Sequence, residues 1–228
     1  DVSVGVADAG THRIGTRAGD GTLTTLAGDG TRGDTNGPPH KARFAHPCGL
    51  AIDAEGNLYV ADCGNNRIRR VSPDGYVTTV AGSGVAGHCD GYGSTATFHN
   101  PCGIAISDDT LYVADYSNNS LRVVSKSGVV ATLAQHDSHE LDAPYGVAIF
   151  REPRTGTGGA TGVDNAPSTW ILVSSFHGNS LSVFSPDGHI QKLAGGGAAD
   201  LLDACGEEAA FNAPNGLAVD AAGNIYVA

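Results

Sequence analysis

The chain has 228 residues, of which 40% are hydrophobic, so it is long enough to bury a substantial core. Its 24 acidic residues against 13 Lys plus Arg give a formal net charge of −11, which disfavours binding to a nucleic-acid backbone. No apolar run of about 18 residues is present, so we expect no membrane insertion within this sequence. The 33 glycines and 10 prolines lie at regularly spaced turns, as is typical of an all-β repeat protein.

The predicted elements are short strands separated by turns. Residues 1–28 predict three strands, and residues 46–82 predict a unit of four. Within that unit the turns fall at 54–57, 64–66 and 72–75, which are rich in Gly, Asn, Asp and Pro. Because a single four-stranded sheet cannot bury both faces, repeated copies of the unit must stack against each other.

A Pro-x-Gly motif marks the start of each copy. It occurs at Pro47, returns 54 residues later at Pro101, and occurs again at Pro144 and Pro214. We therefore expect the chain to open inside one unit and to end inside another, as part of a longer polypeptide. The predicted organisation is a single domain over 1–228, with units at 1–28 (partial), 47–82, 101–135, 144–195 with an insertion at 151–168, and 214–228 (partial).

The connectors between units keep a fixed length in three places. In each of these connectors a Phe lies 16 residues after the Gly of an Ala-Gly pair, at Phe44, Phe98 and Phe211. A connector that holds its length is a packed loop, so we expect each Phe to wedge between neighbouring units. The connector before Pro144 is shorter and lacks a Phe, and the insertion at 151–168 is expected to project as a surface loop.

The repeated motifs resemble a known family. Residues 47–75 contain Pro-x-Gly-Leu-Ala-Ile-Asp, Gly-Asn-Leu-Tyr-Val-Ala-Asp, Gly-Asn-Asn-Arg-Ile and Ser-Pro-Asp-Gly, a series that resembles the NHL repeat. The resemblance covers almost the whole chain outside 151–168 and implies an all-β fold, a β-propeller of four-stranded blades with strand one next to a central channel. Since the second strand occurs five times, at least five blades are needed, and the resemblance implies a fragment of a six-bladed ring.

Three acids are candidates for a metal site. Asp8, Asp62 and Asp115 each follow strand two, where short carboxylates can bind a hard cation such as Ca²⁺. The competing interpretation is structural: an Asp at a strand end accepts backbone N–H bonds from the following turn and pairs with Arg13 or Arg67 five residues on.

Two histidines are the second metal candidate. His136 and His139 lie in a connector beside two acids, and the alternative is a solvated loop. One branch of the family resembled is a lyase that uses channel histidines with zinc. That pattern matches no set of positions here, so no catalytic residue and no cofactor are assigned.

The five cysteines and one sequon bear on the cellular setting. If strands one and two pair with Asp53 opposite Leu58, Cys48 faces Cys63, which predicts a disulfide, whereas two buried thiols are the alternative. Asn118 begins the sequon Asn-Asn-Ser in an exposed turn and is a candidate for glycosylation. The remaining cysteines are a weaker candidate pair, Cys89 with Cys102, and a single residue, Cys205.

The favoured function is a non-catalytic interaction scaffold in an extracellular or cell-surface setting. It would present its loops to partner proteins, to other copies of the chain or to domains of a larger assembly. The first alternative is a channel-site, metal-dependent lyase or hydrolase. The second is a cytoplasmic adaptor or an RNA-binding propeller, which needs a basic face; the alternation of Arg67, Arg69 and Arg70 along strand three, with Arg122, more simply indicates an exposed outer-strand face.

Overall fold

The computed structural model describes residues 4–135, 141–151, 169–186 and 188–228, which form antiparallel β-sheets. This confirms the all-β class predicted from the repeats. The metal candidates His136 and His139 lie outside the described residues, as does the insertion beyond Arg151. In the part of the chain that the structure describes, no helix is long and apolar enough to cross a membrane.

Five sheets follow one another along the chain. Sheet one contains β1 (Val4–Asp8), β2 (Arg13–Arg17) and β3 (Leu23–Ala27). Sheet two contains β4 (Pro47–Ile52), β5 (Leu58–Asp62), β6 (Arg67–Val71) and β7 (Val77–Ala81). Sheet three contains β8 (Gly91–Tyr92), β9 (Pro101–Ser107), β10 (Thr110–Asp115), β11 (Ser120–Ser125) and β12 (Val129–Gln135). Sheets four and five contain β13 (Pro144–Arg151), β14 (Thr169–Ser175), β15 (Ser180–Phe184) and β16 (Ile190–Ala194), then β17 (Leu217–Val219) and β18 (Ile225–Val227).

Within each sheet, strands that are successive in the chain are neighbours. The exception is β8, which comes from a connector and pairs with β12 at the edge of sheet three. Short 3₁₀ turns occupy Cys63–Asn65, Gly93–Thr95, Tyr116–Asn118 and Gly206–Glu208. The turns at Cys63–Asn65 and Tyr116–Asn118 follow the second strands of sheets two and three, so they lie at the same end of the molecule as the starts of β4 and β9.

The register of sheet two differs from the one predicted. Ile52 lies opposite Leu58, and a shift in the ladder then places Pro47 opposite Asp62, so Cys48 does not face Cys63 across the strands. The prediction of Asp53 opposite Leu58 was wrong by one residue. The reason is the turn itself, because the backbone N–H of Asp53 donates to the carbonyl of Asn57 and its carboxylate accepts from the Asn57 backbone N–H.

Successive sheets meet along their first strands. β4 packs beside β9, β9 beside β13, and β13 beside β17. The approach is so close that a Cβ on Gly49 would overlap the carbonyl oxygen of Cys102, and a Cβ on Gly103 would overlap that of Tyr145. The Gly of the first three Pro-x-Gly motifs, Gly49, Gly103 and Gly146, is therefore required by the neighbouring strand.

We expect Gly103→Ala to destabilise the fold by about 1–3 kcal/mol, because the added methyl group must displace the backbone of β13. Gly19→Ala is the matched control, since nothing lies within 4 Å of the methyl group it would add. Urea unfolding of both variants measures the difference. Equal midpoints for the two variants would show that the first strands are not held in this close contact.

The hydrophobic core lies between the sheets. Three buried clusters bridge sheets one and two, sheets two and three, and sheets three and four. Phe44 and Phe98 are fully buried in the first two of these clusters, which confirms their predicted wedge position, whereas Phe211 is half-buried. Leu141 lies three residues before Pro144, as Phe44 does before Pro47, and it is buried in the third cluster. The short connector therefore replaces the Phe with a smaller apolar side chain.

Among the described residues, two ion pairs are fully buried. Asp62 accepts from Arg69 Nη1 at 2.7 Å, and Asp115 accepts from Arg122 Nη1 at 2.8 Å, with all four side chains 0% exposed. Asp62 thus pairs with an Arg seven residues on, as Asp115 does, and the predicted pairing of Asp62 with Arg67 was wrong. The prediction of an exposed face for these arginines was also wrong, and Arg67 instead pairs with Asp34.

Each buried arginine also fixes a connector. Arg69 Nη2 donates to the backbone carbonyl of Thr35 and to the side chain of Asn36, and its guanidinium lies 5.3 Å from the centre of the Phe44 ring. Arg122 makes the corresponding contacts one sheet later, with Asp90 in the place of Asn36. These contacts explain why the connectors keep their length and why the Phe stays in register.

Sheet four lacks both charges of the pair. Ser175 lies opposite Ser180 as Asp115 lies opposite Ser120, and Ser182 lies at the position of Arg122. Both charges are absent from sheet four, not one alone. This agrees with energetics, because a single uncompensated buried charge destabilises a fold far more than a neutral pair does.

We expect Arg122→Ser alone to cost about 3–5 kcal/mol, since it leaves Asp115 buried without its partner. Adding Asp115→Ser gives the pair found in sheet four, and the double variant should be more stable than the sum of the two single effects predicts. A double-mutant cycle by urea unfolding measures this, with the exposed Arg32→Ser as a control of small effect. Strictly additive costs would contradict a direct interaction between the two charges.

Candidate functional site

The acids proposed as cation ligands accept hydrogen bonds from neighbouring groups of the fold. The Oδ1 atom of Asp62 accepts the Ala45 N–H, and the Oδ2 atom accepts from both Asn65 and Arg69. Burial raises the pKa of Asp62, while these three donors oppose that shift. Asp115 has the same set of contacts, and Asp8 accepts the Thr11 N–H in the first turn. These contacts favour the structural interpretation of the three acids.

Asn118, the first residue of the sequon, also makes side-chain hydrogen bonds within the fold. Its Nδ2 donates to the Gly87 carbonyl and to the Asp115 carboxylate, both at 2.8 Å. Asn65 makes the equivalent two bonds in sheet two and belongs to no sequon. A glycan on Asn118 would replace one of the two hydrogens that these bonds use, so the folded structure does not favour the predicted modification.

We expect Asn118→Ala and Asn65→Ala to destabilise the fold by similar amounts, about 1–3 kcal/mol, because each leaves a buried carboxylate with one donor fewer. We further expect the intact mass of the natively isolated protein to show an unmodified Asn118. Ser120→Ala is the control, since it abolishes the sequon and keeps the asparagine. A mass loss in Ser120→Ala equal to a glycan would contradict the structural assignment.

Three cysteines meet at the end of the first strands. The Sγ atoms of Cys48, Cys63 and Cys102 all lie within 4.8 Å of one another, and we call these residues the thiol cluster. All five cysteines of the chain are free thiols in the structure, so the predicted disulfide between Cys48 and Cys63 stays a prediction. The partner proposed for Cys102 was Cys89, but Cys89 is exposed in a connector and is not part of the cluster.

The repeat explains how the thiol cluster arises. Cys48 and Cys102 are the middle residues of successive Pro-x-Gly motifs, and Cys63 follows the second strand of sheet two. Since β4 and β9 are in close contact, the middle residues become neighbours and the turn residue lies beside them. The sequence signal was the shared position of Cys48 and Cys102 in the repeat, which we did not use when pairing cysteines.

The pKa values of the clustered thiols are shifted in opposite directions. Hydrogen bonds from the Cys102 and Cys63 thiols lower the pKa of Cys48, so this sulfur ionises first. The hydrogen bond to Cys48 raises the pKa of Cys102, and burial adds to the effect. Burial together with the nearby Cys48 and Cys102 charges raises the pKa of Tyr145 to about 12. The cluster therefore lies in surroundings where a second negative charge is unfavourable unless a cation compensates it.

An aromatic patch adjoins the thiol cluster. Tyr116, Tyr145, Phe176 and His177 make ring contacts with centroid separations from 5.4 to 6.2 Å. Tyr116 and Phe176 follow the second strands of sheets three and four, the position that Cys63 has in sheet two, and Tyr145 has the position of Cys48 in its Pro-x-Gly motif. His177 is exposed and the other three side chains are half-buried. This patch is the second feature that sequence reasoning missed.

A cleft of about 330 Å³ runs along the first strands. The middle residues of the four Pro-x-Gly motifs line it, namely Cys48, Cys102, Tyr145 and Asn215. It follows that a ligand in this cleft would touch the one residue of each motif that packing leaves free to vary.

Comparison with known proteins agrees with the repeat pattern. The family model of the NHL repeat matches residues 44–71. NHL repeat-containing protein 2 of Bos taurus is 33% identical over 177 residues, covering 65% of this chain. Residues 44–71 therefore form an NHL repeat, and the chain is similar to NHL repeat-containing proteins. It spans 24% of the length of this relative, so the activity of the whole relative is not transferred to it.

Solved structures resemble the NHL-repeat chain in fold. A nidogen/laminin complex contains a chain that matches with a TM-score of 0.65 and 16% identity, over 100% of this chain and 67% of that one. Virginiamycin B lyase from Staphylococcus aureus matches with a TM-score of 0.58 and 15% identity, over 99% and 59%. At these identities the likeness shows the fold, that of β-propeller proteins, and carries no residue of the lyase to this chain.

Proposed function

We propose that this NHL-repeat chain is a rigid protein-interaction scaffold that forms part of a six-bladed propeller and acts in an extracellular or cell-surface setting. The aromatic patch carries the proposal. Tyr116, Tyr145, Phe176 and His177 come from different strands and turns of sheets three and four, and Tyr, Phe and other aromatic side chains are enriched where proteins bind one another.

The patch is held on a stiff support. Tyr116 is the first residue of a 3₁₀ turn, and Asn118 is the last. The Asn118 side chain donates a hydrogen bond to Asp115, which pairs with the buried Arg122. Because the turn is fixed by buried charges, little side-chain and loop freedom remains to be lost on binding. A chain of the nidogen/laminin complex shares this fold, which supports an interaction role without naming a partner for this chain.

The patch is testable with a crosslinking amino acid placed in the full-length protein in its source cells. We expect position 177 to give a discrete protein adduct and position 74, an exposed turn at the opposite end of the sheets, to give none. Phe176→Ala should weaken the interaction by about 2 kcal/mol, or about 30-fold in Kd, because the patch loses its central ring. The matched control is Val85→Ala, an exposed apolar residue in a connector.

Adducts of equal yield from positions 74 and 177, or no adduct from position 177, would overturn the proposed interaction face. An adduct from 177 that Phe176→Ala does not reduce would show that the patch is not the binding surface. The identity of the crosslinked protein, secreted or cytoplasmic, tests the proposed setting at the same time.

A further inference from the structure

We propose that Cys48, Cys63 and Cys102 form a three-thiolate site for a thiophilic metal ion, Zn²⁺ or Cu⁺. This inference concerns a site separate from the aromatic patch and does not depend on the interaction role. It rests first on the convergence of three sulfur atoms, all within 4.8 Å of one another.

The sulfur separations fit a metal of this class. With a Zn–S bond of about 2.3 Å, tetrahedral geometry places two sulfur ligands about 3.8 Å apart. Since none of the three Sγ–Sγ separations exceeds 4.8 Å, side-chain rotations that shorten them by 1 Å or less are sufficient. Cysteine side chains achieve such shifts by small changes in χ1, without movement of the strands.

The donor chemistry selects the ion. Three sulfur atoms without a converging carboxylate are soft ligands, which prefer Zn²⁺ or Cu⁺ to the hard cations Ca²⁺ and Mg²⁺. Asp62, which directly precedes Cys63, has its two oxygens committed to Ala45, Asn65 and Arg69. The hard-cation hypothesis made from the sequence therefore does not extend to this place.

The surroundings support entry and binding. Cys48 and Cys63 are half-buried, and the cleft along the first strands reaches Cys48 and Cys102, so an ion can arrive from solvent. The Cys48 thiol lies 3.4 Å from the His46 carbonyl and the Cys102 thiol lies 3.3 Å from the Asn100 carbonyl, weak contacts that give way when the thiols ionise. The ion replaces the thiol protons that leave, and the cleft has room for a fourth ligand such as water.

Binding would also link two sheets. Cys48 and Cys63 belong to sheet two, whereas Cys102 belongs to sheet three, so one ion would tie neighbouring sheets where their first strands meet. An ion that binds only the folded chain stabilises it in proportion to the logarithm of ion concentration over Kd. We therefore expect a rise in Tm on metal loading as well as a binding signal.

The test uses the full-length protein, reduced, freed of metal with a chelator and kept without oxygen. Zn²⁺ and Cu⁺ are added separately in competition with a coloured chelator, and Co²⁺ serves as a spectroscopic probe of thiolate ligation. We expect one ion per chain, a thiolate-to-cobalt charge-transfer band and a raised Tm. The competition gives the affinity of the site for each ion, and the metal content of the natively isolated protein identifies the natural occupant.

Variants locate the site. Cys63→Ser, at a half-buried position, should weaken binding by more than about 100-fold and remove the charge-transfer band, a larger loss than removal of an outer-shell partner gives. Cys89→Ser and Cys205→Ser are the matched controls, since both cysteines are exposed and lie outside the cluster. Because Cys102 is buried, circular dichroism is used to check that Cys102→Ser still folds. Cys63→Ala serves as a second variant at position 63, which leaves no oxygen ligand there.

The proposal is overturned if the reduced protein binds neither ion, if Cys63→Ser binds as tightly as the parent chain, or if Cys89→Ser is equally impaired. A natively isolated protein with a Cys48–Cys63 disulfide that binds no ion after reduction would also overturn it, in favour of the disulfide. A failed crosslinking experiment at position 177 has no bearing on these outcomes.

Discussion

The close approach of successive first strands is the constraint on which the rest of the structure depends. A side chain larger than hydrogen at Gly49, Gly103 or Gly146 would meet the backbone of the next strand, so each of these three Pro-x-Gly motifs brings one sheet into direct contact with the next. This contact fixes the angle and spacing of the sheets, and the buried clusters then fill the space between their faces. The neighbouring positions of Cys48 and Cys102 follow from the same contact.

The connectors depend on a second, local interaction. Arg69 and Arg122 each pair with a buried acid at the end of strand two and donate hydrogen bonds to a connector. One arginine side chain on strand three therefore links strand two to the connector. Sheet four shows that this solution is not obligatory, because Ser175 and Ser182 replace both charges and the preceding connector is short. In sheets two and three the ion pair accompanies a long connector, which the guanidinium of the pair reaches.

The sequence correctly predicted the strands, the repeat and the positions of Phe44 and Phe98, because local propensity and the spacing of the repeat determine these features. It failed where contacts join residues far apart in sequence. Arg67 and Arg69 lie two residues apart on the same side of β6, so strand alternation does not show which of them pairs with Asp62, and the one-residue error in register arose from the Asp53–Asn57 turn. The thiol cluster required knowing that neighbouring first strands touch, which no single repeat reveals.

The repeat separates residues that packing fixes from residues that it leaves free. In the first three Pro-x-Gly motifs the Gly is fixed by the neighbouring backbone, while the middle residue is Cys, Cys, Tyr and Asn in four successive motifs and lines the cleft each time. The residue after strand two varies in the same way, as Cys63, Tyr116 and Phe176. Because these two positions lie side by side between adjacent sheets, one scaffold offers a thiol site at one junction and an aromatic surface at the next.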